Sequence, residues 1–426
     1  MTAAAIDRAA RAGVREELAW TERGTHVAWL DAHTRALLGF GRRVVVPGGG
    51  AAYLDADGVP DPAAGVQTWI TCRTVHVYAL GAMLGVPGCE PVARGALDGL
   101  LGPLRDAEHG GWFHALDAQG GPDRAAGKSA YDHAFVLLAA SSAALAGLPG
   151  ARGLLDDACA VFLDRFWDDA AGLVVDTWDV AFEDLDPYRG LNANMHAVEA
   201  MLAVADATGD LAWRDRAASV ARLVVRLAAA HDGRLPEHFD ATWTPDLELN
   251  ADRPADRFKP YGATVGHGLE WSRLLLHLEG ALGTLAPPDL RPTAVVLFDR
   301  AVADGWAVDG ADGFVYTTDW TGAPVVRERM HWVVAEAVAA ADALHRRTGD
   351  ARYADLYATW WDYAVTRVVD HARGSWHHEL DPSNRPAGAT WPGKPDLYHA
   401  VQATLLPRLP IGPSLARAVH DGQVTS

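Results

Sequence analysis

Apolar residues recur along this chain at the three- and four-residue spacing of helix faces, in stretches of two kinds that alternate from end to end. The first kind is amphipathic and covers 15–38, 91–105, 151–167, 211–230, 290–306 and 351–369. The second is apolar nearly all round, with its polar groups gathered near the start: TWITCRTVHVYALG, GKSAYDHAFVLLAA, RGLNANMHAVEAML, YGATVGHGLEWSRLLL, RMHWVVAEAVAAADAL and GKPDLYHAVQATLL. Ahead of each of these lies a short segment, at 44–58, 110–120, 172–184, 233–246, 313–324 and 374–386. In these segments apolar or aromatic residues alternate around a Gly, Pro, Asp or Asn cluster, the pattern of two short strands and a turn.

One outer helix, one hairpin and one inner helix therefore make a repeat, and the repeat occurs six times. Each unit can bury its apolar face only against its neighbours. Six helix pairs can close on themselves, so the expected fold is all-α: an (α/α)6 barrel, a toroid of six helix pairs with short β-hairpins at one face. A linear solenoid is the competing arrangement, but it would not gather six polar helix starts around one cavity. The stretch 134–148 carries no charge, yet it is too short for a membrane span and reads as a buried inner helix.

The even period and the lack of a low-complexity linker point to a single catalytic domain over 1–426. Only the first dozen residues and the tail after Pro410 look expendable. A formal charge of −18 argues against nucleic acid as a partner. Three cysteines, Cys72, Cys89 and Cys159, have neither a paired framework nor metal-ligand spacing. With no apolar signal core at the N-terminus, the expectation is a cytoplasmic protein with no membrane partner. Nothing in the chain specifies an oligomeric state.

One histidine marks each inner-helix start: His76, His133, His196, His267, His331 and His399, spaced 57 to 71 residues apart. In GHGLEW, His267 and Glu270 lie three apart and share a helix face, where a carboxylate can fix an imidazole's tautomer. The pair recurs as His196 and Glu199 at the equivalent point of another repeat, and core histidines placed by chance would not keep that phase. Arg73 falls on an otherwise apolar face beside Trp69 and His76. It must find either a polar cavity, where its donors could hold sugar oxygens or an oxyanion, or a buried ion-pair partner. Asn192, Tyr131, Asp132, Glu336, Lys394 and Asp396 carry the same two readings. Sixteen tryptophans, several in the hairpins or at inner-helix starts, suit a ligand with one apolar face and a hydroxylated rim, such as a pyranose; half or more of them are expected to be packing.

The segments RGLNANMHAVEAML, FKPYGATVGHGLEWSRLLL, RMHWVVAEA and GKPDLYHAVQATLLP resemble the N-acylglucosamine 2-epimerase superfamily, over roughly residues 69–410. Within it they are most similar to the branch of D-mannose and sulfoquinovose isomerases. That resemblance implies metal-independent conversion of an aldose to a ketose, or epimerisation at C2, through an enediol and without a cofactor. It implies His267 and His399 as the catalytic pair, and Arg73, Asn192, His196, Glu270, Trp332 and Glu336 as sugar-binding residues. Tyr131, Asp132, Trp69 and Arg257 complete the expected binding set.

Imidazole suits this chemistry because its pKa starts near working pH. The expectation is that His399 moves the proton between C2 and C1, while His267, oriented by Glu270, assists ring opening. The monosaccharide expected first is D-mannose, giving D-fructose, with D-lyxose to D-xylulose as a side activity. Lys259, Arg257 and Lys394 leave a sulfonated sugar open. A glycoside hydrolase would need two carboxylates across a cleft, from among Asp132, Glu237, Glu270, Glu336 and Glu379. Metal-assisted isomerisation would draw on His196, His267, His331 and nearby glutamates, although no dense ligand motif is present. A non-catalytic carbohydrate-binding toroid is a further reading.

Overall fold

A computed structural model describes residues 18–425. The expendable first dozen residues, and the opening turn of the helix expected over 15–38, lie outside them. In chain order the helices are α1 (Gly24–Phe40), α2 (Thr68–Met83), α3 (Cys89–Leu101), α4 (Ala130–Leu145), α5 (Ala151–Val161), α6 (Leu191–Thr208), α7 (Ala212–Ala230), α8 (Val265–Leu282), α9 (Leu290–Gly305), α10 (His331–Thr348), α11 (Ala351–Tyr363), α12 (Tyr398–Leu405) and α13 (Leu415–His420). From α2 to α12 the even-numbered helices form an inner ring and pack in sequence; α12 returns to α2. The odd-numbered helices α1 to α11 lie outside them.

The two apolar patterns follow from these positions. Outer α7 buries Trp213, Ala217, Val220, Ala221, Val224, Leu227 and Ala228, one stripe at three- and four-residue spacing. Inner α4 has neighbours on all sides, and every residue from Ala134 to Ala143 is buried. Each fully buried leucine or valine there contributes about 1.5–3 kcal/mol.

The first described helix and the last inner helix close the ring, which excludes the linear arrangement. Helix α1 packs on α12, the Thr34 hydroxyl donates to Thr404 Oγ1 at 2.8 Å, and Trp376 Nε1 donates to His33 Nε2 at 2.8 Å.

The regular ladders of the hairpin segments run between repeats. The strand entering each of five inner helices pairs with the hairpin of the following repeat: Val66 with Leu116, Lys128 with Trp178, Arg189 with Phe239, Ala263 with Thr318, and Arg329 with Leu380. The sixth junction closes through Lys394 N to Leu54 O at 2.9 Å. In every hairpin an aspartate caps the turn, its Oδ1 accepting two backbone N–H groups: Asp55, Asp117, Asp179, Asp240, Asp319 and Asp381. Such side chain to backbone bonds hold a turn that could not bury a core of its own. The inner-helix starts are thereby fixed on one face.

The tail after Pro410 is not expendable. Helix α13 lies against α2, α4 and α6 at the opposite end of the barrel with Leu415, Ala416, Ala418 and Val419 buried. The Ser414 backbone N–H donates to Asp206 at 2.6 Å. These apolar residues cover core at the far end of the inner ring, and the tail's low sequence periodicity gave no sign of it.

Candidate active site

The inner-helix starts surround a cleft enclosing about 680 Å³, part of it open to solvent. That falls within the range of small-molecule sites. Of the expected site residues, Trp69, Arg73, Tyr131, Asn192, His196, Arg257, His267, Glu270, Trp332 and His399 line it. Phe258, Pro260, Tyr316, His331, His378, Trp391, Pro395 and Asp396 complete the wall.

His267, on the first turn of α8, and His399, at the start of α12, both rest against Trp332, with ring centroids 5.2 and 5.7 Å from it. Gly266 permits this approach: a Cβ there would come within 2.4 Å of the Trp332 ring. His267 Nδ1 is 2.8 Å from Glu237 Oε1, and His399 Nδ1 is 3.1 Å from Glu336 Oε1. A carboxylate can only accept, so each Nδ1 carries the hydrogen and each Nε2 is left with its lone pair. Among the described residues both rings bond through Nδ1 and not Nε2, and both line the cleft. Burial and the nearby Arg73 charge push the His399 pKa well below the ordinary histidine value.

The expected orientation of His267 by Glu270 is therefore a correction. At i, i+3 both residues occupy one helix face, but the Nδ1 edge points to the neighbouring hairpin, where Glu237 stands. Glu270 instead approaches His196 Nδ1 at 3.8 Å and Arg273 at 3.6 Å. Likewise Glu199 serves Tyr398 and Gln402 on α12, not His196. Burial, with the Glu336 charge second, raises the Glu270 pKa well above the carboxylate range.

Arg73 meets both of its expected fates at once. It donates to Asp396 at 3.1 Å and to the Tyr131 hydroxyl at 3.1 Å while lining the cleft, its guanidinium 4.5–4.9 Å from the rings of Phe135, Tyr398 and Trp69. Burial opposes its charge, but Tyr131 and Asp396 outweigh that, so the group stays firmly cationic. Arg257 lies over the Trp391 ring at 4.1 Å and donates to Tyr53 at 3.4 Å, roofing the cleft.

Two expected sugar contacts lie elsewhere. Asp132 turns away from the cleft, where it accepts from His114 and Ser129. Glu336 stands behind His399, held by Arg273 Nε at 2.7 Å. Asp132 is on the first turn of α4 but faces its N-cap Ser129 and the hairpin residue His114, and Glu336 is on the second turn of α10, deeper than the helix starts. Of the six repeated histidines, His76 bonds Ser142 and His133 bonds the Ser129 carbonyl, so these two are structural. Of the tryptophans, only Trp69, Trp332 and Trp391 reach the cleft. Lys394 is a buried partner of Asp370 at 2.8 Å, as Lys128 is of Asp106 at 2.7 Å in an equivalent position.

Glu270 and Asp396 are the carboxylates on the cleft wall. Asp396 is tied to Arg73, Glu237 and Glu336 are spent on histidines, and Glu379 caps the backbone of residues 389–391. A hydrolase's facing carboxylate pair is therefore not assembled among the described residues. The one trio with metal-ligand proximity there is His196, Glu199 and Glu270, within 4.8 Å of one another, without His267 or His331. Arg273 beside Glu270 and the two partners of Glu199 compete with a cation at that trio.

Sequence reasoning missed Arg273, Tyr316, Phe258 and His378. The charged Arg273 in the otherwise apolar run WSRLLL was the available signal.

Buried histidines make the fold sensitive to acid. Burial lowers His76, His133 and His331 to about 4 each. The unfolded chain takes up protons on these groups below about pH 6.5 while the folded chain does not. Their contribution is therefore full above pH 6.5 and is lost as pH falls toward 4. His114, raised to about 8 by the Asp132 charge, works in the opposite sense; its contribution is full below pH 6.5 and lost as pH rises through 8. The melting temperature should drop steeply between pH 6.5 and 4, which thermal melts across that range would read; a flat profile would contradict the burial of these rings.

Residues 49–403 match the N-acylglucosamine 2-epimerase (GlcNAc 2-epimerase) family profile. The chain is 55% identical over 403 residues to a D-mannose isomerase of Thermobifida fusca, covering 94% of this chain and 98% of that one. It is 46% identical over 405 residues to a D-mannose isomerase of Pseudomonas cannabina pv. alisalensis, covering 94% and 97%. A crystal structure of D-mannose isomerase superposes with a TM-score of 0.82 at 27% identity, over 88% of this chain and 96% of that one. A cellobiose 2-epimerase from Spirochaeta thermophila shares the fold, with a TM-score of 0.78 at 22% identity over 89% and 95%.

Proposed function

This chain belongs to the N-acylglucosamine 2-epimerase family, and from that premise we propose that it is an aldose–ketose isomerase converting D-mannose to D-fructose by histidine acid–base catalysis. The observation that carries this reading is the pair of imidazoles against Trp332, each with Nδ1 fixed by a glutamate and Nε2 open to one cleft. The relatives named D-mannose isomerase support the substrate, and D-lyxose to D-xylulose is the side activity we propose. The ring acts as one catalytic domain in 1–426.

The reaction needs two proton movements. His267 Nε2 takes the anomeric hydroxyl proton and passes it to the ring oxygen, toward which Glu270, raised above the carboxylate range, donates a hydrogen bond, so the pyranose opens. His399 Nε2 then removes the C2 proton. The C2–H electrons form the C1=C2 bond as the aldehyde π pair moves to O1, where the cationic Arg73 stabilises the charge. A proton passes from O2 to O1 through His267, and collapse of the enediolate returns the His399 proton to C1, leaving a carbonyl at C2. Reprotonation of C2 from the opposite face would give the epimer. Asn192, His196 and Tyr131 hold hydroxyls, and Trp69, Trp332 and Trp391 cover the ring.

Lys394 is spent on Asp370 and Lys259 lies over the Tyr188 ring, leaving Arg257 as the rim cation of the cleft. An uncharged hexose fits this better than a sulfonated one. No helix among the described residues is long and apolar enough to cross a membrane; with three unpaired cysteines, we place the enzyme in the cytoplasm.

The test is incubation with D-mannose in deuterated water, with and without chelator, followed by NMR of the products. The expected result is D-fructose labelled at C1 at an unchanged rate in chelator. Glucose labelled at C2 would make the enzyme an epimerase, and loss of turnover restored by a divalent ion would overturn metal independence.

A further inference from the structure

Beneath the cleft, Arg273 comes from the same inner helix as His267, yet it does not line the cleft. It is 1% exposed. Its Nε donates to Glu336 Oε2 at 2.7 Å, and the other oxygen of that carboxylate takes His399 Nδ1 at 3.1 Å. The carboxylate is thus bridged and cannot rotate without breaking one of the two bonds. Its three members stand on consecutive inner helices: Arg273 on α8, Glu336 on α10 and His399 on α12.

We infer that Arg273 is a positioning residue for the reaction proposed above: through Glu336 it fixes the tautomer and aim of His399, and it ties that base to the helix that carries His267. The relative placement of the two imidazoles otherwise depends on side-chain packing across α8, α10 and α12. One guanidinium removes that freedom, because its planar fork directs Nε to Glu336 while NH2 lies 3.6 Å from Glu270 on its own helix. A lysine can satisfy one carboxylate but has no second donor in fixed geometry. Burial opposes the charge of this cation, but Glu336 first and Glu199 next hold it charged. Arg273 in turn opposes the rise in the Glu270 pKa that burial and the Glu336 charge produce. Its far side meets a second cavity, of about 410 Å³, lined by Glu199, His277 and the segment 411–415. It therefore separates that end of the barrel from the sugar.

The test is a double-mutant cycle on D-mannose turnover using Arg273→Met, Arg273→Lys and Glu336→Gln, with 15N NMR of the histidine side chains. Arg273→Met should lower kcat on the order of 10²-fold with KM little changed, and Arg273→Lys should recover part of the loss. In the Glu336→Gln background the same substitutions should change kcat by less than about 3-fold, because their effect passes through that carboxylate. Equal losses in both backgrounds, or a loss confined to KM, would overturn the inference. Where Arg273→Met does not fold, Arg273→Lys carries the cycle. The 15N spectrum needs no sugar: His399 should hold its hydrogen on Nδ1 in the unmodified protein and become a tautomer mixture in Arg273→Lys. An unchanged spectrum would overturn the inference even if the chain proves inactive on D-mannose, and inactivity of the unmodified protein alone would sink only the proposed substrate.

Discussion

Replacing His399 by alanine is expected to lower D-mannose isomerisation by about 10³-fold or more and to abolish incorporation of solvent deuterium at C1. General acid–base catalysis by one positioned group contributes typically 10²–10⁴-fold, and a factor of 10³ corresponds to about 4 kcal/mol of barrier. The upper part of that range applies because the other cleft imidazoles among the described residues, His196, His267, His331 and His378, have other partners or roles. The other glutamate-oriented imidazole, His267, stands on a different helix and is fixed by Glu237 of a hairpin, and His331 is stacked on His378 with centroids 3.8 Å apart. The fold should survive. His399 stands at the start of a helix whose remaining residues stay packed, and Glu336 retains Arg273. Circular dichroism and a thermal melt on the variant separate loss of chemistry from loss of structure. Full label exchange in a folded His399→Ala enzyme would refute the assignment of the base.

The ring was legible in the chain because two periodicities, one within helices and one between repeats, both report burial, and burial dominates the fold. Helix identity on 211–230 or 290–306 follows from stripes that each helix needs to pack on its inner partner. The same logic found most of the cleft, since polar groups at the starts of otherwise apolar helices have few other places to go. It did not find the partners of those groups. His267 and Glu270 share a helix face, yet hydrogen-bond geometry at Nδ1 selects Glu237, 30 residues away in a hairpin whose position is set by pairing with the strand before α6. Asp132 looked equivalent to other helix-start polar residues, but its neighbour Ser129 and the hairpin residue His114 claim both its bonds outside the cleft. The segment 411–415 and α13 carry no repeat signal, because they occur once and their apolar residues are matched to a surface made by three other helices. What the residue pattern lacks is the sideways register between neighbouring repeats.

That register predicts the second large effect. Glu237→Gln should reduce turnover by about 10²–10⁴-fold, whereas Glu270→Gln should cost less than about 10-fold. Glu237 accepts the Nδ1 hydrogen of His267, which leaves the Nε2 lone pair facing the sugar. A glutamine at that position can turn its amide N–H toward Nδ1 and select the other tautomer, placing a hydrogen on Nε2 where an acceptor is needed. In the serine protease triad the corresponding Asp to Asn change costs about 10⁴-fold with the geometry intact. Glu270 differs because burial has already raised its pKa; an amide there preserves a hydrogen-bond donor of similar shape toward the ring oxygen, so most of its contribution survives. Steady-state kinetics on the two variants, with 15N NMR to read the His267 tautomer, tests both halves together. A Glu237→Gln enzyme that turns over normally while Glu270→Gln is inactive would return the orientation of His267 to its own helix, as the sequence spacing alone suggests.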